Sequence, residues 1–146
     1  MRQEQQLHSS VRLPFRYALG ASASRFFLAL KNEKRIYGTR CGGCGQVRVP
    51  ARSFCPVCCQ ACTTWVALPD HGTLAGWSET PDLHGYRIAL LRLAGADNLL
   101  LHRLGGVDDN ILEMGMPVVA QWAQLREGKI TDIVCFRPAV RREDVA

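Results

Sequence analysis

The chain has 146 residues, of which 47% are hydrophobic and 21% charged, a composition typical of a soluble domain that can bury its own core. Its longest apolar run, residues 26–30, is far shorter than the roughly 20 residues of a membrane helix, and the polar first residues lack the apolar stretch of a secretory signal. We therefore expect a cytoplasmic protein with no membrane association. Seven cysteines, six of them between residues 41 and 62, then favour metal binding over disulfides.

The charge is divided unevenly along the chain. Residues 1–60 carry ten Lys or Arg and two acidic residues, a net charge of +8, whereas residues 61–146 have a net charge of −3. A basic segment can face nucleic acid, a membrane surface, a phosphorylated cofactor or an acidic protein. The two parts are therefore expected to have different roles.

The first predicted unit is an N-terminal extension, residues 1–21, which is polar and basic and has no core of its own. A short helix is predicted over residues 22–33. Ser22 or Ser24 can cap its start, because a side-chain oxygen at that position accepts from a free helical N–H. Asn32 is expected to end it in the left-handed conformation.

Three apolar side chains, Phe26, Phe27 and Leu30, form a stripe on the predicted helix. A helix this short is marginal in isolation, so its stripe needs a surface to cover it. The sequence leaves two alternatives open: the stripe packs on its own domain, or it docks on a partner protein.

The second predicted unit, residues 34–62, is a cysteine module. Two Cys-x-x-Cys turns separated by ten residues place four sulfurs around one metal ion; the ligands are Cys41, Cys44, Cys55 and Cys58. Zinc is the expected metal, although the same ligands can bind iron. Because four protein ligands close the coordination sphere, the site is expected to stabilise structure and to carry no chemistry.

Other residues of the module have more than one interpretation. Arg40, Arg48 and Arg52 lie close to the ligands in sequence and can offset the negative charge of four thiolates around a divalent cation. Cys59 and Cys62 form a further Cys-x-x-Cys, which can compete for the metal or be redox active. We favour the interpretation that both are small, semi-buried residues.

The third predicted unit, residues 63–140, is a barrel, followed by a tail, residues 141–146. Turn signals separate short strands at intervals of roughly a dozen residues. The predicted strands are Trp65–Leu68, Gly72–Glu79, Tyr86–Leu93, Leu99–Leu104, Pro117–Gln124 and Lys129–Cys135. A helical turn is expected over residues 107–113. The fold class is thus mainly β: an N-terminal helix, a zinc ribbon, and a five-stranded barrel of the OB-fold type.

The sequence offers no catalytic constellation. Its four histidines, His8, His71, His84 and His102, lie in no recognised catalytic motif, and Cys135 is expected in the core of the last strand. We predict that the isolated chain catalyses no reaction.

Several motifs in combination resemble a known family. They are residues 38–45 (GTRCGGCG), residues 50–58 (PARSFCPVC), Trp65, residues 72–74 and residues 136–138. Together they resemble the small acyl-CoA-associated proteins in which a rubredoxin-like zinc ribbon precedes an OB-fold. Cys59 departs from that pattern, since the family often has glycine there, and Cys62 is an additional thiol.

The resemblance implies a function. Members of that family are accessory subunits of thiolase-like enzymes, including thiolase, aldolase and acyltransferase complexes, and the catalytic residues belong to the partner. The resemblance implies a thiolase-like partner and a CoA thioester near the interface with it. From the residues we expect that Phe26, Phe27 and Leu30 contact this partner if the stripe docks on it, and that Arg40, Arg48 and Arg52 can approach the CoA phosphates. The alternative is nucleic-acid binding, which the acidic, aromatic-poor barrel segment disfavours.

Overall fold

The computed structural model describes residues 9–14, 16–79 and 86–139. One α-helix, α1 (Gly20–Glu33), precedes a three-stranded antiparallel sheet formed by β1 (Ile36–Cys41), β2 (Val47–Arg48) and β3 (Cys62–Leu68). Five further strands close into a barrel: β4 (His71–Ser78), β5 (Arg87–Leu93), β6 (Leu100–Leu104), β7 (Pro117–Trp122) and β8 (Ile133–Pro138). The predicted fold class is confirmed.

The barrel has the strand order β4-β5-β6-β8-β7 and closes where β4 pairs with β7. Only β6 and β8 run parallel, meeting at Leu104 and Phe136, and every other pairing is antiparallel. Between β6 and β7 the 3-10 turn Asp109–Ile111 confirms the helical turn expected there. This is the OB-like topology, with a helical turn between the third and fourth barrel strands.

The ends of α1 differ from the prediction. The helix starts at Gly20, and its N-cap Leu19 provides no side-chain hydrogen bond, so the predicted serine cap is wrong. The Ser22 hydroxyl instead lies 2.8 Å from the Ser53 hydroxyl of the ribbon. The left-handed residue is Lys34, with φ 55°, rather than Asn32. Arg126 holds this end, since its Nε donates to the Lys31 carbonyl at 2.8 Å.

The strand predicted at Trp65–Leu68 does not pair within the barrel. It begins at Cys62 and pairs with β1 along its whole length, from Ile36 opposite Leu68 to Cys41 opposite Cys62. A short apolar run identifies a strand but not its neighbour, so the sequence assigned it to the barrel. The close pairing requires glycine in β1: a Cβ on Gly38 would lie 2.8 Å from the Arg48 carbonyl oxygen.

One hydrophobic core joins the three units. Phe26 and Leu30 of α1, Ile36 of β1 and Val49 after β2 are all at most 1% exposed, and they pack in the same cluster as the barrel interior. The largest barrel members of that cluster are Leu74, Leu91, Leu93, Leu104, Ile133 and Phe136. Helix, ribbon and barrel therefore fold against one another. In the described segments, α1 is too short and too polar to cross a bilayer.

Candidate metal centre

Two turns of the ribbon carry the four predicted ligands. In the first, Cys41 ends β1, and the Gly45 N–H donates to the Cys41 carbonyl at 3.1 Å. In the second, the Cys59 N–H donates to the Cys55 carbonyl at 3.0 Å. The Gly42 N–H donates to the Ala61 carbonyl at 3.1 Å and ties the first turn to the strand that follows the second. The backbone therefore brings together two cysteine pairs that are ten residues apart.

The four sulfurs have the spacing that a tetrahedral metal requires. All four lie within 4.8 Å of one another, with 3.3 Å between Cys41 and Cys58 and 3.6 Å between Cys44 and Cys55. Zinc–sulfur bonds of about 2.3 Å in a tetrahedron place sulfurs about 3.8 Å apart. Cys41, Cys44, Cys55 and Cys58 thus form a metal-binding cluster that fits zinc.

The electrostatics of the thiols favour a bound cation. Backbone donors, first the Cys44 N–H, lower the pKa of Cys41 to about 6, and the Cys58 and Val57 N–H groups lower the pKa of Cys55. At Cys44 the Gln46 N–H also lowers the pKa, but lost hydration and the neighbouring thiols outweigh it and raise the pKa to about 12. Adjacent thiolates repel one another, and a divalent cation removes that repulsion.

The structure places two of the three predicted arginines on opposite faces of the ribbon sheet. Thr39 lies opposite Arg48, and Arg40 lies opposite Val47, so the side chains of Arg40 and Arg48 leave opposite faces of the sheet. Arg40 donates to the Gly45 carbonyl at 3.0 Å and braces the first turn, while Arg48 contacts Gln46. Arg52 is exposed. Arg40 and Arg48 therefore do not share a single anion site.

The two additional cysteines differ from each other. Cys62 is 6% exposed beside the cluster, and burial, followed by the charges of Cys41 and Cys55, raises its pKa. Cys59 is exposed and has φ 59°, a conformation that non-glycine residues rarely adopt. Cys62 fits the interpretation of a small buried residue, and Cys59 is a surface thiol.

The stripe on α1 faces its own chain. Phe26 is 1% exposed and Leu30 is fully buried, and Phe27 is half-buried against the same core. The sequence left two alternatives open for this stripe, packing within the chain or docking on a partner. In the structure, Phe26 and Leu30 pack within the chain. Leu28, on the other side of the helix, is 54% exposed.

The described histidines and Cys135, which are the candidates for acid–base or nucleophilic chemistry, already contact other polar groups of the chain. Burial lowers the pKa of His102, whose Nε2 lies 3.1 Å from the Ile130 carbonyl and whose Nδ1 accepts from the Arg103 N–H at 2.8 Å. Burial raises the pKa of Cys135, and its Sγ donates to Gln121 at 3.5 Å. His71 is a surface residue beside Asp70. His8, His84 and the tail 141–146 lie outside the described residues.

One pocket, of about 250 Å³, lies on the barrel beside β5 and β6. Its walls are mainly apolar, and His102 presents there a ring whose two nitrogens already contact backbone groups. The lining residues are Ile88, Leu101, His102, Arg103, Ile130 and Thr131. We assign no catalytic role to this pocket.

Sequence reasoning missed the polar residues that fix the ribbon to the barrel. The Val47 N–H donates to the Asp97 carboxylate at 2.7 Å, and the Asp97 N–H donates to the Val47 carbonyl at 2.9 Å. The Asn98 amide accepts from the Val49 N–H at 2.9 Å and donates to its carbonyl at 2.6 Å. The turn after β5 thus pairs with the free edge of β2. The sequence marked this turn only as a break between strands.

Known proteins resemble this chain in its ribbon and over most of its length. Residues 29–58 match the family model of the ChsH2 rubredoxin-like zinc ribbon domain. A probable enoyl-CoA hydratase alpha subunit of Thermomonospora curvata is 29% identical in an alignment of 127 residues that covers 82% of this chain and 38% of that protein. The chain therefore spans well under half the length of that curated relative.

Two solved structures resemble the whole architecture. A chain of the Ltp2-ChsH2(DUF35) aldolase has a TM-score of 0.62 and 28% identity, covering 86% of this chain and 100% of that one. A DUF35-family protein of unknown function from Sulfolobus solfataricus has a TM-score of 0.60, covering 84% of this chain and 87% of the other. At 23% identity, the second likeness concerns the fold alone.

A four-cysteine ribbon joined through one core to a closed barrel defines the class of zinc-ribbon and OB-like barrel proteins. Within that class, the resemblance stated from the sequence is confirmed, because the ribbon model and the likeness to the Ltp2-ChsH2(DUF35) aldolase chain both agree with it. The chain is therefore similar to the ChsH2 zinc ribbon domain in its ribbon and to the Ltp2-ChsH2(DUF35) aldolase chain in its overall architecture.

Proposed function

We propose that this chain is a non-catalytic accessory subunit of a cytoplasmic, thiolase-like enzyme complex that makes or cleaves carbon–carbon bonds in CoA thioesters. The observation that carries the proposal is the likeness to a chain of the Ltp2-ChsH2(DUF35) aldolase, which extends over all of that chain at 28% identity. The name of the curated relative, a subunit of a probable enoyl-CoA hydratase, also supports an acyl-CoA enzyme.

In this proposal the metal stabilises the ribbon and takes no part in the reaction. Four cysteine ligands leave no coordination position for water or substrate. Zinc, when bound, supplies structural crosslinking between the two turns. Nucleophile and base belong to the partner, which agrees with the occupied hydrogen-bonding groups of His102 and Cys135.

The contribution to the partner is to stabilise it and to help shape its CoA channel. Arg40 and Arg52 are exposed on the ribbon and are the candidates for contact with CoA phosphates. Arg40 acts separately from Arg48, whose side chain leaves the opposite face of the sheet.

Nucleic-acid binding has weaker support. A barrel that binds single strands needs exposed aromatic side chains for stacking, in a basic groove. Among the described barrel aromatics, Trp77 is 39% exposed, Tyr86 and Trp122 are half-buried, and Phe136 is buried. The barrel segment also carries the net negative part of the chain.

Co-expression tests the proposal. The chain is produced together with the thiolase-like protein encoded nearest to its gene, and the mixture is separated by size exclusion. We expect one stable complex with about one zinc per copy of this chain. The complex should turn over CoA thioesters, and the isolated chain should not. Separate elution of the two proteins, or turnover by the pure chain that a His102→Asn change abolishes, would contradict the proposal.

A further inference from the structure

The segment before α1 exposes a row of large apolar side chains. Val11 is 80% exposed, Leu13 75% and Tyr17 71%. Phe15, which lies outside the described residues, completes the alternation in the sequence. We call residues 11–17 the N-terminal arm; its described residues form neither helix nor strand. Several large apolar side chains exposed in alternation along one segment are a feature that an interaction site requires.

The arm has the pattern of a strand that has one apolar face. In an extended chain, side chains two residues apart point to the same side. One side of the arm then carries its apolar residues, and the other carries Arg12, Pro14 and Arg16. Pro14 fixes its own φ and restricts Leu13 to extended conformations. This restriction lowers the conformational entropy that the arm loses on binding.

The charge of the arm indicates the chemistry of its partner. Arg12 and Arg16 are exposed, and residues 9–19 contain no acidic side chain. The arm leads into the N-terminus of α1, whose first turn has neither an acidic residue nor a side-chain cap, and which adds partial positive charge. The complementary surface is therefore an apolar groove with an acidic rim.

The same charge argues against a second copy of this chain as the occupant. The exposed apolar patch on the barrel comprises Ile88, Leu90 and Leu101, which are 38%, 41% and 59% exposed. Arg92 and Arg103 are exposed on the same face, by the alternation along β5 and β6. A basic arm from a second copy would meet a basic rim there.

We propose that the N-terminal arm binds in an extended conformation to an apolar, acid-rimmed groove on the acyl-CoA enzyme subunit that this chain accompanies. The inference rests on the proposed function and names the segment that holds the partner. Side chains of alternate residues enter the groove, while the two arginines meet the acidic rim. The buried stripe of α1 is not needed for this contact, since Phe26 and Leu30 remain inside the chain.

The test uses three variants of the full chain with the same thiolase-like subunit. Val11→Asp with Leu13→Asp places charge on the apolar face, and Arg12→Glu with Arg16→Glu reverses the basic face. Leu125→Asp is the matched control, because Leu125 is 80% exposed on the barrel. Zinc content and melting temperature should be unchanged in all three, since the substituted side chains are exposed.

We expect the apolar variant to weaken the complex by about 100-fold or more in Kd, because buried anchors dominate binding. The charge-reversed variant should lose about tenfold, mainly in the association rate, and lose less at high salt. The control should stay within about twofold.

Four results overturn the inference. If both arm variants bind as the unmodified chain does, the arm is not the contact, and the proposed function is unaffected. If the unmodified chain fails to bind, the proposed function falls as well. Arm-dependent dimerisation of the isolated chain identifies a second copy as the occupant. Arm-dependent sedimentation with phosphatidylserine–phosphatidylcholine vesicles, without a change in complex formation, identifies a membrane surface.

Discussion

The two ends of the zinc ribbon are stabilised by different interactions. At the metal end, the buried side chains are Cys41, Cys55 and Cys62, which form a small cluster of their own. Apolar side chains beside them face solvent, as Phe54 is 66% exposed and Val57 64%. This end has almost no apolar burial, so its stability depends on the metal.

At the barrel end, the same ribbon is held by burial and by backbone pairing. Val47 and Val49 are buried in the core shared with α1 and the barrel. The turn at Asp97 and Asn98 supplies four hydrogen bonds to the edge of β2. The comparison shows that one small ribbon can be a metal site at one end and part of a hydrophobic core at the other. Substitutions should separate the two.

Loss of one metal ligand should have the largest effect. Cys44→Ser leaves three ligands, and structural zinc contributes on the order of 10 kcal/mol to folding in small ribbons. We expect zinc content to fall from about one per chain to near zero under the four-ligand rule. Hydrogen exchange should become fast at the two turns, in residues 41–45 and 53–61. Val47, Val49 and the barrel strands should stay protected, because core burial and the turn at Asp97 and Asn98 hold them.

Cys59→Ser is the control for that experiment, because Cys59 lies outside the four-sulfur cluster and is exposed. It should retain zinc and full protection. If Cys44→Ser kept its zinc, the ligand assignment would be wrong. If Val47 and Val49 lost protection as well, the two ends of the ribbon would be one cooperative unit.

Truncation of the Phe26 side chain should have the next largest effect. Phe26 lies in α1 and packs in the core that holds the barrel end of the ribbon. Removing a fully buried phenylalanine costs about 3–5 kcal/mol, through lost burial and the cavity left behind. Phe26→Ala should therefore lower the melting temperature strongly while zinc content stays unchanged. Leu28→Ala, at an exposed position of the same helix, should change stability by less than about 0.5 kcal/mol. Zinc loss in Phe26→Ala would show that the metal site needs the core.

The polar clamp should have a moderate effect. Asn98→Ala removes both hydrogen bonds to Val49 and leaves a buried backbone edge unpaired. The expected cost is about 1–3 kcal/mol in chemical denaturation. Asn32→Ala, at an exposed position near the end of α1, is the matched control. Equal midpoints for the two variants would mean that the turn after β5 does not hold the ribbon.

The sequence predicted the structural features that depend on residues close together along the chain. The four ligands were found because all of the signal lies in two short cysteine motifs, and the fold class followed from alternating strands between turns. It did not predict contacts between distant residues. Asp97 and Val47 are fifty positions apart, and the apolar run of β3 is the same whether the strand pairs with β1 or with the barrel. The stripe at Phe26 and Leu30 likewise indicated a buried face without indicating what buries it.

The smallest expected effect concerns pH and a residue remote from both ends of the ribbon. Burial lowers the pKa of His102 below its usual value near 6.5. The Arg103 N–H donates to Nδ1, so the folded state holds the neutral ring with its proton on Nε2 toward the Ile130 carbonyl. As the pH falls through 6.5, His102 therefore binds a proton in the unfolded chain but stays neutral in the folded chain.

His102 therefore stabilises the folded chain fully above pH 6.5, and this stabilisation is lost as the pH falls toward the lower folded-state pKa. Over that range the free energy of unfolding changes by at most about 1.4 kcal/mol per pH unit for one proton. Denaturation of the zinc-loaded chain between about pH 7.5 and 6 measures that slope, with zinc content checked at each point because thiolate ligands also bind protons. In His102→Asn the slope should decrease, whatever the variant's absolute stability, because the asparagine side chain does not titrate. An unchanged slope would mean that His102 does not contribute to the acid sensitivity of the barrel.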